Sequence, residues 1–196
     1  VRCSSDSMLS TSRSRKMIAR FLVFDDANVD IAIIRDIDSR FGPRELLAVN
    51  EWLSSGMGFH VMRDHDYHTV PIMGGMFGMR TRTLAQKRTS ISKLLHRASR
   101  ENNGPFTFPD VPGEDQAFLA AYVWPLVRDQ TLSHDASPNR CSEFGARRCR
   151  DFPRISRDSS NFVGAAHKMQ DNAECDPLQW QCHSVHSACS SRMDSA

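Results

Sequence analysis

Two clusters of titratable residues stand out in this 196-residue chain. The first is RDIDSR, residues 35–40. Asp36 and Asp38 are two apart at the end of a β-branched run, so in extended backbone both carboxylates project from one face. Paired oxygen donors of this kind suit a hard divalent ion, Mn²⁺ or Mg²⁺, and such an ion can bridge diphosphate oxygens and offset leaving-group charge. Arg35 and Arg40 flank the pair and can add phosphate contacts. An acidic turn closing a strand is the plainer alternative.

The second cluster is FHVMRDHDYH, residues 59–68. After Arg63, the residues Asp64, His65, Asp66 and His68 put four ligand or acid–base groups into five positions. Histidines three apart with carboxylates between them can hold a transition metal or supply a general base. A solvated loop whose polar groups cap the following turn is the alternative.

Three weaker signals follow. Gly74 and Gly75 in GGMFG permit positive φ and close approach of backbone to a ligand, although the chain has neither a GxGxxG nor a GxxxxGK[ST] string. Asp115 with Gln116 is either an acid facing the site or a helix cap. His134 with Asp135 either closes a metal site begun by Asp38 or is an ordinary surface pair. GxSxG and HExxH are absent, and no Cys falls between residues 17 and 138, so nucleophilic Ser or Cys hydrolysis has no support.

These residues need a frame. The run 31–34 predicts a strand buried on both faces, as in a parallel sheet. Gly42 and Pro43 open a helix carrying Leu46, Val49, Trp52 and Leu53 at helical spacing, with Glu45 near its positive end and Gly56 as its stop. Residues 59–62 form a second strand. Strand, helix, strand is a βαβ unit, whose crossover brings both charged strand ends to one sheet edge, where ligands bind in open α/β sheets. Residues 74–78 then predict a glycine-rich turn, 84–100 a basic helix, 102–113 a Pro- and Gly-rich loop, and 116–124 an apolar helix broken at Pro125.

Composition bounds the function. With 40% hydrophobic and 24% charged residues and a formal net charge of +2, bulk attraction to nucleic acid is not indicated. No run reaches the ~18 apolar residues of a membrane span. Among 25 basic residues only Lys16, Lys87, Lys93 and Lys168 are lysines, and the arginine excess suits phosphate or carboxylate recognition as well as coding bias. Residues 1–16, rich in Ser and Arg, predict a disordered or transit-like tail. The chain starts at Val1 rather than Met, which suggests a processed or N-terminally incomplete product. Residues 17–138 carry the periodic pattern, and 139–196 predict a loop-rich extension. That extension holds Cys141, Cys149, Cys175, Cys182 and Cys189 without a CxxC pair, which argues against structural zinc and for disulfides formed in an oxidising compartment.

The ordered strings RFLVFDD, VDIAIIRDIDSR, EWLSSG, FHVMRDHDYH, IMGGMFG, DQAFL and HD resemble a group of glycosyltransferases with the pattern RDxDSR…EW…FHxxRDHxxH…GGxxG…DQ…HD. The likeness covers about residues 17–135 and extends to the DxD-bearing GT-A type. It implies a partial GT-A-like, Rossmann-like α/β sheet with flanking helices. It also implies a nucleotide-sugar donor, a glycan or protein acceptor, and Mn²⁺ or Mg²⁺ held by Asp36 and Asp38 with His134 as a further ligand. Asp64 or Asp115 would be the base or acceptor orienter, and Arg35, Arg40, Arg63, His65, His68, Gly74, Gly75 and Gln116 would line the substrate site. The GT-A type normally has a nucleotide-binding half before the DxD, whereas only about 35 residues precede Asp36 here. A secretory (Golgi or ER lumen) or extracellular setting follows from the cysteines. A metal-dependent phosphoesterase or nuclease built on RDHDYH, and an inactive degenerate fragment, are the competing expectations.

Overall fold

A computed structural model of the chain describes residues 17–101, 113–137, 139–153 and 162–166, with the backbone of 173–176 and 181–184. The expected tail over 1–16, the loop over 102–112 and most of the Cys-rich extension lie outside the described residues. The protein is α/β. Strands β1 (Ile31–Arg35), β2 (Phe59–Arg63), β3 (Met76–Arg80), β4 (Thr131–Asp135) and β5 (Arg148–Asp151) form one mixed sheet in the order β1-β3-β2-β4-β5. β3 runs antiparallel to both β1 and β2, while β2, β4 and β5 are parallel. β1 and β2 therefore point the same way, as a βαβ unit requires, with β3 inserted between them. The carboxyl ends of four strands and the start of β3 share one rim. β6 (Ala173–Asp176) and β7 (Gln181–Ser184) pair separately.

Two expectations about the sheet are corrected. β1 is an edge strand in which only Ile34 is buried. Its apolar run reflects Ile34 and Ala32 packing on one face and Ile31 and Ile33 on the other. The GGMFG run is a turn only at Gly74–Gly75; Met76, Phe77 and Gly78 belong to β3. Glycine's poor strand propensity conceals the strand. Yet Gly78 is required there, because a Cβ would stand 2.8 Å from Cζ3 of Trp52.

Helix α1 (Pro43–Ser55) forms as expected, with Gly42 at its N-cap, Pro43 in the first turn and Gly56 at φ +72° closing it. Its buried face is Glu45, Ala48, Val49 and Trp52, whereas Leu46 and Leu53 are 47% and 37% exposed, against the expected stripe. The single basic helix becomes α2 (Arg82–Gln86) and α3 (Ile91–Glu101), separated at Arg88 with φ +57°. The Asp25 carboxylate accepts from the amides of Ile91 and Ser92 at 2.7 and 2.8 Å and so caps α3. The apolar helix runs as α4 (Glu114–Phe118), one wide π turn (Leu119–Val123) and α5 (Trp124–Val127). Pro125 sits in the first turn of that last piece, where its missing N–H costs little. Helix α6 (Arg140–Phe144) and β5 lie beyond residue 138, and the Cys141–Cys149 disulfide joins them.

Apolar layers cover both faces of the sheet. On one face Phe59, Val61, Phe77 and Met79 meet Phe21, Phe24, Leu94, Phe118 and Val127. Phe77 stands 5.6–5.7 Å from the rings of Phe21, Phe24 and Phe59, contacts worth about 0.5–1.5 kcal/mol each beyond area burial. On the other face Met62, Met76 and Leu132 pack against Ala48, Val49 and Trp52 of α1, with Phe152 and Val163 completing the layer.

Candidate functional site

The shared rim brings four of the singled-out residues together around one that sequence reasoning missed. Arg20 opens a 3₁₀ helix (Arg20–Asp25) whose Phe21 and Phe24 are buried in the core. Its Nη1 donates to Asp36 Oδ1 at 2.6 Å and its Nη2 to Asp115 Oδ2 at 2.7 Å. Asp36 is the first residue after β1, and Asp115 lies in the first turn of α4, whose N-cap is Gly113 rather than Asp115. Asp115 is 7% exposed, and the Asp36 side chain is about half open. The Arg20 Nε is buried with no partner among the described residues.

Gly74 and Gly75 make this geometry possible, though by a different route from the one expected. Neither has positive φ. Continuing the β1–β3 register past Arg35↔Met76 sets Asp36 opposite Gly75. A Cβ on Gly75 would collide with the Asp36 carboxylate, and one on Gly74 would come within 2.5 Å of Asp115 Oδ2 and 2.9 Å of Arg20 Nη2. The two glycines receive the carboxylates against bare backbone. Arg35 adds a bond from Nη1 to the Gly75 carbonyl at 2.9 Å. Its Nε also lies 2.8 Å from Oε1 of Glu45, which is 1% exposed. Neither Glu45 oxygen has a directional hydrogen bond among the described residues. Burial therefore pushes its carboxyl up to about 7 against the pull of Arg35, and burial lowers Arg35 in turn.

Asp38 is placed differently from its expected partnership. The backbone turns after Asp36, with Ser39 N–H and Oγ both donating to the Asp36 carbonyl at 3.2 and 2.8 Å. The extended geometry that would align both carboxylates is therefore absent. Asp36 faces Arg20, Asp38 is exposed on the turn, and Ile37 between them is fully exposed. Arg40 is exposed and Gln116 half-buried beside Asp115.

The second cluster is built into the scaffold instead. Asp64 is fully buried, accepts from Arg44 Nε and Nη2 at 2.7 and 2.8 Å, and accepts from the Val163 amide at 3.1 Å. Arg63 is buried beneath the sheet, with Nε on Asp135 Oδ1 at 2.6 Å and Nη2 on Ser133 Oγ at 2.6 Å and Asp135 Oδ2 at 3.0 Å. Both groups are consumed internally, so the roles of catalyst for Asp64 and substrate ligand for Arg63 have no geometric footing. His65 and His68 cluster with Phe162, the His65 and Phe162 ring centres 4.4 Å apart. Burial, then the proximity of His65, lowers His68 to about 4, so it is neutral at neutral pH.

His134 is also removed from Asp38. In the order β1-β3-β2-β4 it stands three strands away, roughly 14 Å at the usual strand spacing. Its Nδ1 is 2.8 Å from His60 Nε2 and its Nε2 is 3.1 Å from Glu51 Oε2. With His134 donating from Nε2 to Glu51 and accepting at Nδ1 from His60, the buried His60 Nδ1 has no partner among the described residues. Burial lowers both histidines; the neighbouring His134 adds to the effect at His60, and Glu51 opposes it at His134.

A divalent ion requires oxygen donors here. Among the described residues no three of His, Cys, Asp and Glu gather as a metal site. Asp36 and Asp38 are carboxylates of the type Mg²⁺ or Mn²⁺ takes, but Asp36 is paired with Arg20 and Asp38 stands apart from it on the turn, so the two do not form a joint donor pair in this arrangement. Comparison with protein-family models, with curated proteins and with solved structures finds no match for this chain.

Proposed function

We propose that the chain is a metal-dependent glycosyltransferase of the GT-A type, moving a sugar from a nucleotide-sugar donor to a glycan or protein acceptor. The observation that carries this is the Arg20-bridged Asp36–Asp115 pair seated on Gly74–Gly75 at the common rim. Residues from RDIDSR, GGMFG and DQAFL, far apart in sequence, meet there.

In this reading Asp36, released from Arg20, and Asp38 on the adjoining turn would hold Mn²⁺ or Mg²⁺, which when bound would offset charge on the leaving diphosphate. Arg20 and Arg35 are the nearby cations that orient the donor phosphates. The bond between the sugar's anomeric carbon and the diphosphate oxygen breaks, and a bond to the acceptor hydroxyl oxygen forms. Asp115 takes the acceptor proton. The competing phosphoesterase reading has less support at Asp64, whose carboxylate is engaged by Arg44 and the Val163 amide. A secretory or extracellular setting is in keeping with the Cys141–Cys149 disulfide.

Asp38→Asn is the cleanest test, because Asp38 is exposed and lacks an ion-pair partner among the described residues. The variant is expected to melt as the parent does while losing Mn²⁺-dependent binding of UDP or GDP and donor hydrolysis. Unchanged metal-dependent turnover in Asp38→Asn would overturn the assignment.

A further inference from the structure

Arg20 already occupies the place of a cation at the shared rim. Its guanidinium bridges Asp36 Oδ1 at 2.6 Å and Asp115 Oδ2 at 2.7 Å, so two carboxylates from distant parts of the chain converge on one positive charge. Arg35, the other arginine at this rim, is committed to Glu45 and to the Gly75 carbonyl. Without Arg20, neither Asp36 nor Asp115 has a salt-bridge partner among the described residues.

Asp36 has no free side to offer a second cation while Arg20 is in place. Its Oδ1 accepts from Arg20 Nη1, and its Oδ2 lies against the bare backbone of Gly75, where a Cβ would collide with it. Arg20 is anchored from behind, because Phe21 is buried in the core with its ring 5.3 Å from the guanidinium carbon. Its tip is less secure. The buried Nε has no acceptor among the described residues, and the half-open Asp36 side chain makes that link the more screened of the two. Arg20 is held firmly at Asp115 and loosely at Asp36.

We propose that Arg20 is a built-in competitor that sets the affinity of Asp36 for a divalent ion. A guanidinium on Oδ1 and a divalent ion on the same carboxylate repel each other. The ion therefore binds the fraction of molecules in which Arg20 has left Asp36, and its apparent affinity falls by that fraction. Phosphate oxygens offer Arg20 other acceptors, which makes a diphosphate and the ion favour each other's binding. Arg20 has this role only if Asp36 is the ion's ligand, as the proposed transfer has it.

Titrating the whole chain with Mn²⁺, and following free Mn²⁺ by its electron paramagnetic resonance signal, tests this without nucleotide or turnover. Arg20→Gln should bind Mn²⁺ at least about threefold more tightly than the parent, a gain that damage to the fold does not produce. Arg20→Lys keeps a charge for the buried Asp115 but cannot bridge both carboxylates. It should fold as the parent does and show a smaller gain. Adding Asp36→Asn to either variant should abolish the gain. If neither variant binds more tightly than the parent, or if the gain survives Asp36→Asn, the competitor role is refuted. Binding of UDP with Mn²⁺ answers the transferase reading separately. That reading stands alone if the parent binds the pair through Asp36 and Asp38 while the Arg20 variants gain nothing. The competitor role stands alone if the variants gain Mn²⁺ and neither they nor the parent bind UDP.

Discussion

Arg20 and Asp115 are 95 positions apart, yet a 2.7 Å bond from Nη2 to Oδ2 joins them at the edge of the sheet. The same guanidinium holds Asp36, whose side chain is 48% exposed against 9% for that of Asp115. Solvent screening weakens the first link more than the second. Double-mutant cycles read by urea unfolding are expected to give a coupling of about 1–2 kcal/mol for Arg20 with Asp115 and under about 1 kcal/mol for Arg20 with Asp36. Equal couplings would mean that the two carboxylates are equally shielded.

Gly75→Ala puts a methyl group into the Asp36 carboxylate. Overpacking of this kind costs roughly 1–3 kcal/mol. The carboxylate must shift, so the metal and nucleotide binding proposed for Asp36 should fall together with the melting temperature. Gly42→Ala, where a Cβ meets nothing within 4 Å, is the control and should leave binding intact. A Gly75→Ala protein that binds normally would mean that Asp36 has room to move.

Asp64→Asn should act on folding rather than chemistry. It removes the carboxylate charge from the largely buried Arg44–Asp64 pair, a change that costs about 3–5 kcal/mol. Activity per folded molecule, measured below the shifted transition, should match the parent. A stable Asp64→Asn protein with abolished turnover would restore Asp64 to the reaction.

Glu45 gives a pH signature. Its carboxyl is raised to about 7 in the folded protein from an ordinary 4.5, so between those values the folded state binds more protons than the unfolded one. Stability from this group is complete below about pH 4.5 and is lost as pH rises through about 7. His68, lowered to about 4 from 6.5, runs the other way and loses stability as pH falls through that window. Glu45→Gln removes only the first slope. Its melting temperature relative to the parent should therefore climb from pH 5 to pH 8, and a flat difference would show that Glu45 ionises without cost.

Much of the scaffold was legible from local signals. Pro43 and Gly56 bracket α1 because both ends use residues with distinctive backbone preferences, and the Asp-bearing ends of β1 and β2 do share a rim. What escaped was tertiary. β3 hides in GGMFG because Gly78 serves the Trp52 ring rather than the strand. β4 and β5 carry Ser, His, Asp and Arg, whose bonds to Arg63, Glu51 and one another exist only once the sheet is assembled. Arg20 carries no chemical pattern of its own, since its partners lie 16 and 95 residues away. In FHVMRDHDYH the density of charge that suggested chemistry largely reflects internal pairing.

The insertion of β3 between β1 and β2 has a further consequence. That strand sets Phe77 and Met79 into one apolar layer and Met76 into the other, and it delivers Gly75 to Asp36. A slip of one residue would exchange the layers and withdraw the glycine from the carboxylate in the same movement. Tolerance to mutation should thus be lowest along this ladder, where a single substitution disturbs both apolar layers and the seat of the Asp36 carboxylate at once.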